Sequence, residues 1–256
     1  MKEPLILITN DDGFTAKGMQ ALIDAVKELG KLIIVAPDKP QSGMGHAITV
    51  NEPLRYQETT YFKPLKAFHC SGTPVDCVKV GMYELGKIKP DLILSGINHG
   101  SNVSTNVLYS GTMSAAVEGA LEGIPSIGFS LTDYDANADF TASQKIVTRI
   151  VKSALNEGIE KGVCLNVNIP NVSLDQIKGI KVCRQGRAFW DDTFDERTDP
   201  LGKKYYWLTG SFEDFEKSED TDVHYLKNNF VTIVPTQFDM TAYKSIDTIN
   251  KWNFEL

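Results

Sequence analysis

Two hydrophobic periods alternate along the first two thirds of the chain. Residues 5–9, Leu-Ile-Leu-Ile-Thr, have the length and β-branching of a buried strand. Residues 17–29 follow, with Met19, Leu22, Ile23, Val26 and Leu29 recurring at helical spacing on one face. The same reading predicts strands at 31–36, 91–95, 125–130 and 163–169, and helices at 74–85, 111–122 and 142–155. Thr73 and Pro74 suit the N-cap and first turn of the second helix. Strands that are apolar throughout, each followed by a helix, imply a mostly parallel sheet covered on both faces. The expected fold is therefore α/β, a Rossmann-like three-layer sandwich. In such sheets ligands bind just beyond the carboxyl ends of the strands.

The texture changes after residue 178. Residues 190–207 mix aromatic and charged side chains, 210–222 are acidic, and 230–234 form a lone strand-like run. These pieces suggest a C-terminal β-hairpin or arm extension that bridges protomers. The expected organisation is one α/β domain over 1–256, with 1–178 as its core and 179–256 as the hairpin and oligomerisation arm region.

Composition narrows the function. The chain has 256 residues, 42% of them hydrophobic, and a net charge of -7. That balance and the absence of Lys and Arg clusters argue against a binder of long nucleic acid. Cys70, Cys77, Cys164 and Cys183 stand singly, without C-x-x-C or His spacing, and are expected to be reduced packing residues. The apolar stretch near the N-terminus is too short for a signal sequence, and no window approaches the ~20 apolar residues of a membrane span. A cytoplasmic protein without membrane partners is the expectation.

Small polar residues cluster after three of the strands: Thr9-Asn10-Asp11-Asp12-Gly13, then residues 37–43 ending in Gln41-Ser42-Gly43, then Ser95-Gly96-Ile97-Asn98-His99-Gly100-Ser101-Asn102. The inferred topology brings all three to one edge. Adjacent carboxylates repel unless protonation, solvent or a cation relieves the charge. Mg²⁺ or Mn²⁺ would do so, with Ser42 and Asn98 supplying neutral oxygens. Asp12-Gly13 also reads as a simple turn with a capping acid. Tyr109-Ser110-Gly111-Thr112 opens a small-residue helix whose first amides and hydroxyls favour an anion such as phosphate, although an ordinary N-cap has the same sequence. No Walker or G-x-G-x-x-G motif accompanies it.

A metal beside an anion cradle suggests phosphoester hydrolysis by a metal-activated water. Asp11 as a covalent nucleophile is an alternative. His46 and His99 are candidates for general acid, general base or phosphate contact, or else are loop residues satisfied locally. Phe189, Trp190, Tyr205, Tyr206 and Trp207 suit either base stacking or interface packing. A nucleotide- or phosphate-sensing module without turnover, and a broad acid phosphatase or exopolyphosphatase, fit the same residues.

The ordered motifs Ile8 to Gly13, Val35-Ala36-Pro37-Asp38 with Gln41-Ser42-Gly43, Gly72 to Val78, Ser95 to Asn102 and Tyr109 to Thr112 resemble the SurE family, the stationary-phase survival proteins that act as 5'(3')-nucleotidases. The resemblance extends over nearly the whole length. It implies release of phosphate from nucleoside monophosphates with one Mg²⁺ or Mn²⁺ per subunit. The implied metal ligands are Asp11, Asp12, Ser42 and Asn98, of which Asp11, Asp12 and Asn98 are also the catalytic set. Asn10, Asn102, Ser110, Gly111 and Thr112 fall at the substrate and phosphate positions. Homodimers or homotetramers built through exchanged C-terminal arms are also implied, as is activity of some members on 3'-nucleotides or short polyphosphate. Ser101 stands where the family often has Pro, and Ile233-Val234-Pro235 where it usually has Ile-Thr-Pro.

Overall fold

In the computed structural model, which describes residues 3–86 and 88–254, the apolar runs become the centre of a nine-stranded sheet. Met1, Lys2, Lys87, Glu255 and Leu256 lie outside the described residues. Strand β1 (Leu5–Thr9) pairs in parallel with β2 (Lys31–Pro37) on one side and β5 (Leu92–His99) on the other. Beyond β2 lie β4 (Lys66–Cys70), parallel, and the antiparallel edge strand β3 (Tyr56–Thr59). Beyond β5 lie β6 (Ser126–Leu131) and β7 (Val163–Ile169), both parallel. Counting only the six parallel strands in chain order, the arrangement is 3-2-1-4-5-6, the doubly wound order of a Rossmann fold.

Alternation along each strand explains why the strands look continuously apolar. Ile6 and Ile8 of β1 face one layer, formed by α1 (Lys17–Val26) and α4 (Thr141–Glu157), while Leu5 and Leu7 face the other, formed by α2 (Pro74–Leu85) and α3 (Gly111–Leu121). Both faces are covered, so every position is buried. The three-layer sandwich expected from the sequence is present. Thr73 caps α2 with a reciprocal bond to Asp76, and Pro74 sits in the first turn, as the sequence predicts. Cys70, Cys77 and Cys164 are buried, Cys183 is partly so, and all four are free thiols.

Several boundaries differ from expectation. Strand β5 continues past Ser95 to His99 through an irregular register shift, so the residues expected as loop are still strand. Helix α1 ends at Val26 rather than 29. Strands β3 and β4 were not expected at all.

The C-terminal third adds to this sheet and also leaves it. Strand β8 (Gly179–Val182) pairs with β11 (Phe230–Gln237), which in turn runs antiparallel to β7. Between them the chain makes a long antiparallel hairpin, β9 (Ala188–Thr198) and β10 (Lys204–Asp214). Helices α5 (Asp222–Lys227) and α6 (Tyr243–Ile249) follow. The carboxylate of Asp222 is buried and accepts the backbone N–H groups of Ser104, Gly186 and Val223 at 2.8–2.9 Å. Ser104 Oγ accepts the Ala188 N–H at 2.7 Å and lies 2.7 Å from the Gly186 carbonyl. The base of the hairpin is thereby fastened to the segment before α3. Among the described residues no helix is long and apolar enough to cross a membrane.

Gly18 shows how closely α1 rides on β5: a Cβ there would lie 1.9 Å from the Ile97 carbonyl oxygen. The G18A variant is expected to lose about 1–3 kcal/mol of stability by overpacking. Equilibrium denaturation checks this, and an unchanged midpoint would show that α1 shifts freely.

Candidate functional site

The turn after β1 is built around a buried pair of acids. Asn10 donates its side-chain amide to the Gly13 carbonyl at 2.9 Å, and Gly13 adopts a φ of 90° that favours glycine. This closes the turn and directs Asp11, only 4% exposed, towards the start of α3. There the Thr112 hydroxyl donates to Asp11 Oδ1. Gly111 has to be glycine for the same reason: a Cβ on it would lie 2.6 Å from the Cβ of Asp11. The Asp11 carbonyl accepts the Gln41 N–H at 2.7 Å, which brings in the loop carrying Ser42.

Burial, reinforced by the neighbouring charge of Asp12, pushes the Asp11 carboxyl up to about 7 despite the Thr112 bond. Burial also raises Asp12, opposed by the His99 N–H, which donates to Asp12 Oδ2 at 3.3 Å, and by the charge of His99. Two carboxylates are thus held together with little to neutralise them. Asn98 spends its amide N–H on the Gly100 carbonyl at 2.8 Å, leaving Oδ1 as an acceptor. Among the described residues no three His, Cys, Asp or Glu side chains gather as a metal site. The oxygens available to a cation here would be those of two carboxylates, the Asn98 amide and the Ser42 hydroxyl, all hard donors of the kind Mg²⁺ and Mn²⁺ prefer.

Beside Asp11 opens a cleft of about 870 Å³, whose lining does not include Asp12. Asp11, Ser42, Asn98, Asn102 and Ser110 line it, as does His99, whose buried Nδ1 has no hydrogen-bond partner among the described residues. Asn102 is held by Ser130 Oγ at 2.8 Å and by Asn168 Oδ1, which accepts its backbone N–H at 2.7 Å. Ser110 caps α3, its Oγ accepting the Met113 N–H at 3.0 Å. Asn10 and Thr112 stand behind the wall, their side chains bonded to Gly13 and Asp11. His46 lines a neighbouring cavity instead and bonds Glu118.

The cleft also has an aromatic wall. Tyr109, Tyr134, Phe189 and Trp190 line it, with Trp190 Nε1 donating to Asn106 Oδ1 at 3.1 Å and Phe189 stacked on Phe215. Tyr205, Tyr206 and Trp207 lie outside this wall, exposed on the hairpin. Sequence reasoning missed Tyr134 and Asn106. Tyr134 follows the end of β6, so the rule that ligands gather after strand ends would have found it; Asn106 carries no such signal.

A doubly wound sheet with an acidic, hydroxyl- and amide-rich cleft at its topological switch point defines an α/β enzyme scaffold built around an oxygen-rich polar centre. The family model "Survival protein SurE" matches residues 6–192, and the chain belongs to the SurE family. Proteins named 5'-nucleotidase SurE from Christiangramia forsetii and Flavobacterium psychrophilum are 54% and 52% identical to it. The first alignment covers 98% of both chains and the second 99%. The crystal structure of the SurE protein from Aquifex aeolicus superposes with a TM-score of 0.84 at 42% identity, covering 96% of this chain and 98% of that one.

The elevated Asp11 carboxyl has a measurable consequence. In the unfolded chain an Asp releases its proton near 3.8, whereas folded Asp11 keeps it to about 7. Between these values the folded state holds the extra proton, so stability falls as pH rises. Chelated D11N, free of that loss, is expected to melt several degrees above chelated wild type at pH 8 and to converge with it near pH 4. Equal melting temperatures at pH 8 would refute the buried-charge account.

Proposed function

We propose that this protein is a divalent-metal-dependent nucleotidase that releases phosphate from nucleoside 5'-monophosphates. Asp11, Asp12, Ser42 and Asn98 hold Mg²⁺ or Mn²⁺, one ion per subunit. The observation that carries the reading is one cleft lined together by hard oxygen donors, the start of α3 and aromatic rings. The relatives named as 5'-nucleotidases, similar over nearly their whole length, support the same substrate class.

Phosphate binds at the start of α3, where the positive end of the helix dipole and the hydroxyl of Ser110 meet it. Gly111 lets the backbone approach, and Thr112 acts through Asp11 by fixing its carboxylate. Asn102, braced by Ser130 and Asn168, presents a pre-positioned amide from the opposite loop. Asn10 shapes the turn that aims both acids. When bound, the cation neutralises the acid pair, draws charge from the phosphoryl group and activates water as nucleophile. Trp190, tethered to Asn106, receives the nucleobase face. Exposed Phe194, Leu208 and Trp207 on the hairpin and Trp252 beyond α6 support assembly as a homodimer or homotetramer through the C-terminal arms.

Phosphate release tests the reading, with 5'-nucleotides, 3'-nucleotides, polyphosphate and p-nitrophenyl phosphate as substrates after chelation and return of Mg²⁺ or Mn²⁺. Wild type is expected to act on 5'-nucleotides only with metal, and D12N to lose activity by about 10²-fold or more. Nucleotide binding without phosphate release under every condition would make the protein a sensor instead. W190A is expected to raise KM for nucleotides while leaving that for p-nitrophenyl phosphate nearly unchanged. An equal effect on both would remove Trp190 from base recognition.

A further inference from the structure

The loop that carries Ser42, residues 38–55, has no regular structure and exposes Ser42, Gly43 and Met44, so something else has to hold it. At its start the Gln41 N–H bonds the Asp11 carbonyl, and further along Thr49 bonds the carboxylate of Asp76 through both its N–H and its hydroxyl. Between these points the Gly45 N–H donates to the Tyr109 carbonyl at 3.1 Å, and His46 reaches down to α3. There His46 Nε2 lies 3.0 Å from Glu118 Oε2, while Lys79 of α2 bonds the other carboxylate oxygen. The Glu118 side chain is 3% exposed. An acid so buried is costly unless paired, and this one has two partners from two different elements. Burial alone would raise its carboxyl, but the hydrogen bonds from His46 and Lys79 outweigh that and hold it below the usual range.

Gly111, Ser114 and Glu118 are three and four residues apart and so share a face of α3. The face whose first residue packs on Asp11 therefore carries, two turns on, the anchor for the Ser42 loop. We propose that Glu118 is a positioning residue: held by Lys79, it clamps His46 and so fixes Ser42 at the distance from Asp11 and Asn98 that cation binding requires. His46 thereby serves as a tether and takes no part in proton transfer. The proposal rests on reading Ser42 as a ligand of the cation.

Hydrogen exchange of residues 41–46 and calorimetric Mn²⁺ binding to the chelated, substrate-free protein test it together. H46A and E118Q are expected to speed exchange at the Gln41 and Gly45 amides and to weaken Mn²⁺ binding about 10- to 100-fold. H46Q, which restores a side-chain N–H donor at similar reach, is expected to recover most of both. Unchanged exchange in H46A, or faster exchange with wild-type Mn²⁺ affinity, would overturn the clamp. S42A is the control for the underlying reading: if it binds Mn²⁺ as tightly as wild type, Ser42 is no ligand and the proposal falls for that reason instead.

Discussion

The carboxylate of Asp11 is buried where the end of β1 meets the first turn of α3, and much of the surrounding sequence serves to make that burial tolerable. A charge in such a place is expensive. Thr112 gives it a hydroxyl, Gly111 gives it room, and Asn10 holds the turn that delivers it. What these contacts leave over is a carboxyl that keeps its proton to near neutrality beside a second acid. Such a pair gains most from an oxygen-seeking cation, which is why the cleft reads as a place for one.

Sheet topology decides what else reaches this point. Strands β1 and β5 lie side by side, yet the chain leaves them to opposite halves of the sheet, so the loops after them diverge and leave a crevice. Asp11 and Asp12 come from one side of that crevice and Asn98 from the other. The remaining polar contacts brace these loops from behind, through Asn166 and Asn168 on β7 and Asp76 on α2.

The central strands were legible in the sequence because both faces are buried, so that apolar residues fill most of each run. Strands β3 and β4 were not, since edge residues such as Gln57 and Glu58 are exposed and the short segments carry no clean alternation. The extension of β5 was hidden by small polar residues that resemble a loop and are in fact strand with a shifted register. Within the site, residues adjacent in sequence were readable as clusters at strand ends. Contacts between distant segments were not: nothing in the chain pairs His46 with Glu118, or Trp190 with Asn106, before the fold brings them together.

The fastening of the hairpin carries a mechanical consequence. Asp222 and Ser104 bind the base of β9 to the segment that precedes α3, and the next residues of β9, Phe189 and Trp190, are already cleft wall. The hairpin is therefore a lever whose fulcrum sits against the cavity. A displacement of its far end, were a neighbouring subunit to impose one, would be transmitted to Phe189 and Trp190 and so to the cleft they line.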